Sequence, residues 1–437
     1  MIVSRRIFGM VTALALSVSL SGLMSCGKES PLGSVDSGGR DTIGGPAKDS
    51  LPPQPVIDPV LTYSDTAMEA YIEWTAPWDD SPQETVHHYE MRFSYTHAFK
   101  AAWDIGIVIP DPPVPLAPGE RQRHILRYPL RGRTLYAAIR SVDEAGNRSS
   151  VDSVASVHIL GYTLSGRCVD VLTGTPIEGL AIRIAASAIY NLTTNSDGRF
   201  SLIDVSPGAA VATISTGASS VLYHAVKKRF DIVDDLEQKY LMIPFQEMQL
   251  HEELYRNILT LFKALTRTSS VDMSTVLATW THRPVKCYIP SYVNVNGIDY
   301  EAEGRAAAQR WMDVAGFELF TFVDSPPDTG VTVHYKSRSQ MGIQIGITRH
   351  TDGADGHPIR DDIDLVNDMP SATKLYKIFM HELGHTIRLG HLDFSDFIMY
   401  RGTPLPDDIT EDETKVVKLL VALPSRIDMA IYDESNP

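Results

Sequence analysis

Three histidines and a glutamate fall within one short segment, HELGHTIRLGH, at residues 381–391. At about 100° per residue, His381 and His385 lie about 40° apart around a helix, so both imidazoles can reach one metal ion. Glu382 is the neighbour that can reach a water on that metal. Three neutral imidazoles and one open position suit a catalytic zinc, which lowers the pKa of its water to about 7 and polarises a carbonyl group. The segment therefore predicts a hydrolytic Zn²⁺ site with Glu382 as general base.

The third histidine constrains the path of the chain. His391 comes ten positions after His381, so a continuous helix would point it about 80° away from the first ligand. The helix must therefore end before His391. The turn is expected either at Gly390 or at Arg388 in a left-handed conformation, which costs a non-glycine residue roughly 1–2 kcal/mol. If the turn is displaced, a carboxylate could replace His391 as the third ligand, and the carboxylates considered are Asp393 and Glu411.

These residues resemble the HExxHxxGxxH pattern of the metzincin metalloproteases, in which the glycine at the eighth position breaks the helix. Here that position is Arg388, and a glycine follows two residues later as Gly390. The segment DFSDFIMYRG that follows puts Met399 eight residues after His391. This distance matches the Met-turn that lies beneath the zinc of metzincins. The position of Tyr400, directly after Met399, resembles the matrixin branch of the family. The resemblance extends over about residues 280–425.

The resemblance implies a zinc-dependent endopeptidase that acts on protein or peptide substrates. The implied general base is Glu382, and an edge strand that binds substrate is expected near IDLVN, residues 363–367. The competing interpretation is a non-catalytic surface adhesin or scaffold that retains a structural zinc site. Glu382 argues against it, because a structural site has no use for a general base, whereas Arg388 favours it, since a distorted turn could impair catalysis. The implied zinc ligands are His381, His385 and His391.

The elements that position this site are indicated by periodicity. SATKLYKIFMHELGHTI, residues 371–387, has helical spacing, with apolar residues on the face opposite the two histidines. Near the end of the chain, Thr410 and Glu413 have the spacing of a capping box, which predicts a C-terminal helix. Short apolar runs typical of strands alternate with helical segments before the histidines. Residues 246–437 are therefore expected to form an α+β catalytic domain.

A second group of possible metal ligands lies in the loop HTDGADGHPIRDD, residues 350–362. Its carboxylates and imidazoles could hold an additional structural Zn²⁺ or Ca²⁺. A solvated acidic loop is the favoured expectation, because acidic loop residues commonly face water. The side chains concerned are His350, Asp352, Asp355 and His357.

Two β-rich segments precede the catalytic part. Residues 55–160 alternate apolar and polar residues in short runs broken by turns, which predicts an antiparallel β-sandwich. Residues 161–245 contain two alternating strands around NSDG, which predicts a hairpin, and they resemble carboxypeptidase regulatory-like sandwiches. The predicted fold is therefore multidomain, with two all-β sandwiches followed by an α+β metzincin-like catalytic domain. The first segment resembles fibronectin type III domains at Trp74, Leu130 and Tyr136.

The N-terminus predicts export. Residues 1–26 contain two arginines, a short apolar run and then LMSC, which resembles a bacterial lipobox with Cys26 as the lipidated residue. Residues 27–54 are rich in Gly, Ser, Pro and Asp and are expected to be a flexible tether. The sequence therefore predicts an exported bacterial lipoprotein, facing the periplasm or the cell surface and attached to a membrane through its lipid anchor.

Charge and cysteine usage exclude two further classes. With 39 Lys and Arg against 54 Asp and Glu, the formal net charge is −15, and no basic block is present that would follow phosphates. A nucleic-acid partner is therefore not expected. Once Cys26 is lipidated, Cys168 and Cys287 remain in segments assigned to different domains. A disulfide framework is therefore not part of the predicted design.

Overall fold

The computed structural model of the chain describes residues 49–96, 102–127, 129–216, 223–245, 247–250, 258–266 and 279–432. The predicted signal peptide with Cys26 and most of the predicted tether lie outside the described residues. Within the described part of the chain, none of the helices combines the length and apolar composition needed to cross a bilayer. Export and lipid anchoring therefore stay predictions.

The first β-sandwich forms because its strands alternate buried and exposed side chains. Its strands are β1 (Val60–Ser64), β2 (Glu69–Thr75), β3 (His88–Ser94), β4 (Ile107–Val108), β5 (Arg121–Arg127), β6 (Arg133–Val142) and β7 (Ala155–Ile159). One sheet has the order β1-β2-β5 and the other β4-β3-β6-β7. Between them Trp74 is fully buried and meets Tyr89 edge to face, with ring centroids 5.3 Å apart. The predicted sandwich is confirmed.

The second β-sandwich follows without a long connection. Its strands are β8 (Tyr162–Asp170), β9 (Ala181–Ala185), β10 (Ile189–Thr193), β11 (Arg199–Val205), β12 (Gly208–Ser215), β13 (Val226–Ile232) and β14 (Leu236–Met242). The sheets have the orders β11-β8-β14 and β10-β9-β12-β13. Strand β14 is parallel to β8, whereas the other pairs are antiparallel. The prediction of a second sandwich is confirmed at this level.

The NSDG turn is present, but the predicted hairpin is wrong. Gly198 has φ 69° and donates its N–H to the Asn195 carbonyl at 2.8 Å, as expected for such a turn. However, β10 pairs with β9 and β11 pairs with β8, so the turn connects two different sheets. Thr194 bends the chain out of β10 by accepting the Leu180 N–H and donating to the Ile177 carbonyl. Alternation alone does not distinguish these cases, because both sheets face one core.

The C-terminal part combines helices with a mixed sheet. Its elements are α1 (Ile258–Thr266), β15 (Val285–Tyr288), α2 (Tyr300–Ala315), β16 (Phe320–Phe322), β17 (Gly330–Lys336), α3 (Arg338–Met341), β18 (Gly346–Asp352), β19 (Pro358–Val366), α4 (Ala372–Thr386) and α5 (Glu411–Ala422). The sheet order is β16-β15-β17-β19-β18, parallel except for β18. Helix α2 packs on α4, where the buried Trp311 indole donates to the Met380 carbonyl at 2.8 Å. An α+β domain is therefore present.

The edge strand next to α4 is β18, so the expected position near IDLVN is wrong. That segment belongs to β19, which lies between β17 and β18. Its Ile363, Leu365 and Val366 are fully buried, as is usual for an interior strand covered on both faces. The side chains of β18 are instead exposed or half-buried. The strand at this edge of the sheet is thus more exposed than β19.

The second sandwich and the C-terminal domain share one continuous hydrophobic core. The backbone of Tyr432 forms an antiparallel bridge with Val226 in β13. The Tyr432 hydroxyl donates to the Leu241 carbonyl in β14 at 2.8 Å. The end of the described chain therefore returns to the second sandwich, so the predicted boundary near residue 245 separates two parts that pack together.

Candidate metal centre

Helix α4 and the turn after it bring the three predicted histidines together. The Nε2 atom of His381 lies 3.2 Å from the Nε2 atoms of both His385 and His391. Zinc–nitrogen bonds of about 2.0–2.1 Å in tetrahedral geometry require nitrogen–nitrogen distances of about 3.3 Å. Within the described ranges, these three histidines are the group of His, Cys, Asp or Glu side chains that lie close enough together to hold a metal ion. The two distances from His381 fit a zinc ion, and all three ligand atoms lie within 4.8 Å of one another.

The turn that delivers His391 is made by Arg388. Its φ of 76° is left-handed, while Gly390 is outside that region. The Arg388 N–H donates to the His385 carbonyl at 2.9 Å, and the Leu389 N–H donates to the Gly384 carbonyl at 3.0 Å. This pair of bonds is the Schellman arrangement that closes many helices, usually with glycine at the left-handed position. Of the two alternatives from the sequence, the left-handed Arg388 is confirmed.

Backbone carbonyls fix the orientation of two of the imidazoles. His381 Nδ1 lies 2.8 Å from the Ile398 carbonyl, and His385 Nδ1 lies 2.7 Å from the Leu389 carbonyl. A carbonyl oxygen can only accept, so Nδ1 carries the proton in both rings and Nε2 is left with a free lone pair. Hydrogen bonds of this kind set the tautomer of metal-binding histidines. The two rings are therefore arranged to donate electron pairs to the same point.

The imidazoles are held in the neutral form that a metal requires. Burial lowers the pKa of His381 to about 4. The pKa of His385 is well below its ordinary value, first because of burial and then because of the other two histidines. Burial also lowers the pKa of His391. Near neutral pH, ligation would therefore displace few protons from these rings.

Glu382 is buried beside the edge strand. Its side chain is 5% exposed, and Thr348 in β18 donates its hydroxyl to Glu382 Oε2 at 2.7 Å. Burial raises the pKa of Glu382 to about 7, against the opposing effect of that hydrogen bond. A Cβ atom on Gly346 would stand 2.5 Å from Glu382 Oε1, so glycine is needed there for the strand to approach the carboxyl group. The sequence did not single out Thr348 or Gly346, which are distant from Glu382 along the chain.

Met399 lies directly beneath the metal-binding helix. It is fully buried, and a Cβ atom on Gly384 would stand 2.4 Å from its sulfur. Glu413 in α5 holds the backbone around Met399 in place, because its carboxyl group accepts the N–H of Met399 at 3.0 Å and the N–H of Ile398 at 3.2 Å. The same carboxyl group completes a capping box with Thr410. The capping box was predicted from sequence, but its contact with Met399 was not.

Glu413 is expected to make the stability of the chain depend on pH. Burial raises its pKa to about 7, so the folded chain holds this proton more tightly than the unfolded chain, where the ordinary value is 4.5. The contribution of this group to the free energy of unfolding is fully present below about pH 4.5 and is lost as the pH rises through about 7. At about 1.4 kcal/mol per pKa unit, the loss is roughly 3 kcal/mol. Denaturant unfolding of the zinc-free chain and of Glu413→Gln between pH 4.5 and 8 measures this difference. Parallel pH profiles for the two chains would contradict the prediction.

The carboxylates considered as substitute ligands are occupied elsewhere. Asp393 pairs with Arg401 at 2.6 Å, and Glu411 pairs with Lys415 at 2.9 Å. Neither belongs to the group of converging ligands in the described residues. The geometry thus favours His391 as the third ligand.

The loop at 350–362 does not assemble a second metal-binding group. His350 Nδ1 lies 2.9 Å from Asp361 Oδ1, and Asp352 pairs with Arg388 at 2.6 Å. His357 lies against the Thr279 carbonyl and the Ser425 hydroxyl. These side chains point to different partners. An additional structural Zn²⁺ or Ca²⁺ gains no support from the arrangement of the described residues.

A cavity of about 480 Å³ opens along the preceding turns of α4. Ile378 lines it and also approaches β18, since a Cβ atom on Gly346 would stand 2.9 Å from Ile378 Cγ2. Ile378 therefore lies between this cavity and the strand that contacts Glu382. Its other lining residues are Ser371, Thr373, Lys374, Lys377, Thr403, Pro404 and Leu405.

The solved structures named below each cover less than half of this chain. No protein-family model and no curated protein sequence matches this chain. Among solved structures, it is similar to 5-hydroxyisourate hydrolase from Klebsiella pneumoniae, with 25% identity, a TM-score of 0.15 and coverage of 19% of this chain and 90% of that one. It is also similar to the Bacillus anthracis TIE protein, with 12% identity, a TM-score of 0.26 and coverage of 46% of this chain and 42% of that one. An Fn3-like protein from Clostridium thermocellum is similar with 11% identity, a TM-score of 0.18 and coverage of 24% of this chain and 93% of that one. TM-scores this low assign neither a family nor an activity.

Proposed function

We propose that the chain is a zinc-dependent endopeptidase that hydrolyses peptide bonds without a covalent intermediate. The observation that carries this proposal is the convergence of three imidazoles, with His381 Nε2 3.2 Å from the Nε2 atoms of His385 and His391. A buried general base, Glu382, on the same helix supports it further. The resemblance of the motif and of Met399 to metzincins points in the same direction. The strained turn that could have favoured a scaffold does not displace His391.

The residues of the site divide the chemistry between them. When bound, zinc supplies a Lewis acid that polarises the scissile carbonyl group and acidifies water. Glu382 accepts a proton from the attacking water and donates it to the leaving amine nitrogen. Its raised pKa, about 7, suits both transfers near neutral pH. Thr348 keeps the carboxyl group oriented through its hydrogen bond to Oε2.

The same surroundings can hold an extended peptide. Strand β18 is one of the two edge strands of its sheet, and an extended chain can add to such an edge through backbone hydrogen bonds. Because Thr348 links β18 to Glu382, a peptide on this edge would lie beside the general base. The cavity lined by Ile378 would then receive one substrate side chain, with Lys374 and Lys377 at its walls.

The remaining parts of the chain complete the proposal. We assign residues 55–160 as a fibronectin type III-like interaction or spacer module and residues 161–245 as a carboxypeptidase regulatory-like module with a structural role, and we propose no catalytic residues in either. The anchor would be a lipid on Cys26, which places the catalytic domain outside the cytoplasm on a bacterial membrane. The substrates would then be periplasmic or extracellular proteins and peptides.

Removal and return of zinc tests the function of the intact chain. The zinc-loaded protein is expected to cleave casein, to lose this activity in excess chelator and to recover it when Zn²⁺ is added back. The measurement is the release of casein fragments, with zinc content determined in parallel. A chain that holds zinc but cleaves no protein or peptide would support the adhesin or scaffold interpretation instead. Cleavage that persists without metal would point to a different catalytic group.

A further inference from the structure

Arg388 is buried although it occupies a left-handed turn. Its side chain is 3% exposed, and its φ is 76°, a conformation that glycine adopts freely and arginine does not. The guanidinium Nη2 lies 2.6 Å from Asp352 Oδ1 and 3.7 Å from Asp361 Oδ1. Since the backbone alone would favour glycine here, the contacts of the side chain are what offset the strain.

Asp361 makes the guanidinium necessary. Its side chain is fully buried, and its Oδ1 atom lies 2.9 Å from His350 Nδ1. Within the described part of the chain, Asp361 Oδ2 and Arg388 Nε have no hydrogen-bond partner. Removing the cation next to a buried carboxylate strongly destabilises the folded protein. Arg388 and Asp361 must therefore be considered as one pair of charges.

The position of this pair connects two parts of the proposed site. Asp352 ends β18 and Asp361 lies in β19, while Arg388 forms the turn that leads to His391. We propose that Arg388 is a positioning residue whose guanidinium ties the turn of the third zinc ligand to the last residue of β18 and to β19. Its effect on zinc follows from the geometry of the histidines, and the use of that zinc in hydrolysis rests on the proposed function.

Substitution by glycine gives a test in which the two explanations predict opposite signs. If only the backbone conformation mattered, Arg388→Gly would relieve strain and keep or strengthen zinc binding. If Arg388 positions His391, the same variant weakens zinc binding by about 10–100-fold, as expected when a group that supports a metal ligand is lost. Competition titration of Zn²⁺ against a chelator, with the full chain, measures the affinity. Unchanged or tighter binding would overturn the proposal.

A double variant separates positioning from simple charge neutralisation. Arg388→Gly with Asp361→Asn removes both buried charges, so the thermal unfolding midpoint of the zinc-free chain should return towards that of the unaltered chain. Zinc affinity is expected to stay low. Recovery of zinc affinity together with stability would show that Arg388 only neutralises Asp361, and the proposal would fall.

Asp352→Asn provides a variant that leaves the turn itself untouched. The Asp352 side chain is 44% exposed, so this variant is expected to fold even if Arg388→Gly does not. We expect it to weaken zinc binding up to about tenfold, and unchanged affinity would count against the proposal. Because Zn²⁺ binding is read separately from cleavage, a chain that binds zinc but cleaves nothing refutes only the proposed function. A chain that binds no zinc refutes both.

Discussion

Replacement of Glu382 by glutamine is expected to lower the rate of peptide cleavage by about 10²–10⁴-fold, the usual contribution of a general acid or base. Glutamine has nearly the same shape as glutamate and keeps an oxygen that can accept the Thr348 hydrogen bond. The variant therefore removes proton transfer without opening a cavity beside His381. Zinc content should stay at the level of the unaltered chain, because Glu382 is outside the group of metal-binding side chains. Casein cleavage and elemental analysis of the same samples check both expectations.

Glu411→Gln is the matched control for this experiment. Glu411 begins α5 and pairs with Lys415 on the same helix, so its loss of charge should leave cleavage unchanged within about twofold. Equal losses in both variants would indicate a general effect of charge. A Glu382→Gln chain that retains full activity would show that another group accepts the proton, and the proposed role of Glu382 would be wrong.

The metal-binding helix could be predicted because its signals are local. The two histidines follow a helical spacing, and the residues opposite them are apolar, so the sequence alone orients α4. Because His391 must return to the metal, the helix must also break after His385, and Arg388 and Gly390 are the two candidate positions for that turn. The choice between them depends on Asp352 and Asp361, which lie far earlier in the chain. Periodicity carries no information on such distant partners, so the left-handed Arg388 could be named only as an alternative.

Strand order could not be predicted for a similar reason. The segment IDLVN, residues 363–367, was expected at the sheet edge, yet its strand is interior, because both of its faces are covered. The polar strand Gly346–Asp352 takes the edge instead, and only this placement brings Thr348 to Glu382. The NSDG turn shows the same limit, since its local conformation was predicted but the sheets that it joins were not. Local patterns predict elements, whereas partners across a sheet are decided by packing.

His391→Ala is expected to weaken zinc binding by roughly 10²–10³-fold. Structural zinc sites with four ligands bind with about 10–16 kcal/mol, so one ligand contributes about 2.5–4 kcal/mol. His391 is the most exposed of the three histidines, so its replacement leaves the buried core of α4 in place, and the zinc-free variant should unfold at nearly the same temperature as the unaltered zinc-free chain. Competition titration with a chelator measures the affinity, and thermal unfolding measures the fold. Addition of Zn²⁺ should raise the unfolding midpoint of the unaltered chain more than that of the variant.

His357→Ala is the control that makes the His391 result specific. His357 lies in the acidic loop and contacts Thr279 and Ser425, so its removal should leave zinc affinity unchanged. A strong loss in His391→Ala with none in His357→Ala would mean that the left-handed turn at Arg388 delivers a true ligand. If His391→Ala keeps full affinity, the third ligand is a different group, and Asp393→Asn becomes the decisive variant. That aspartate is paired with Arg401, so it could reach the metal only if the ion pair opened, which is why the geometry favours His391.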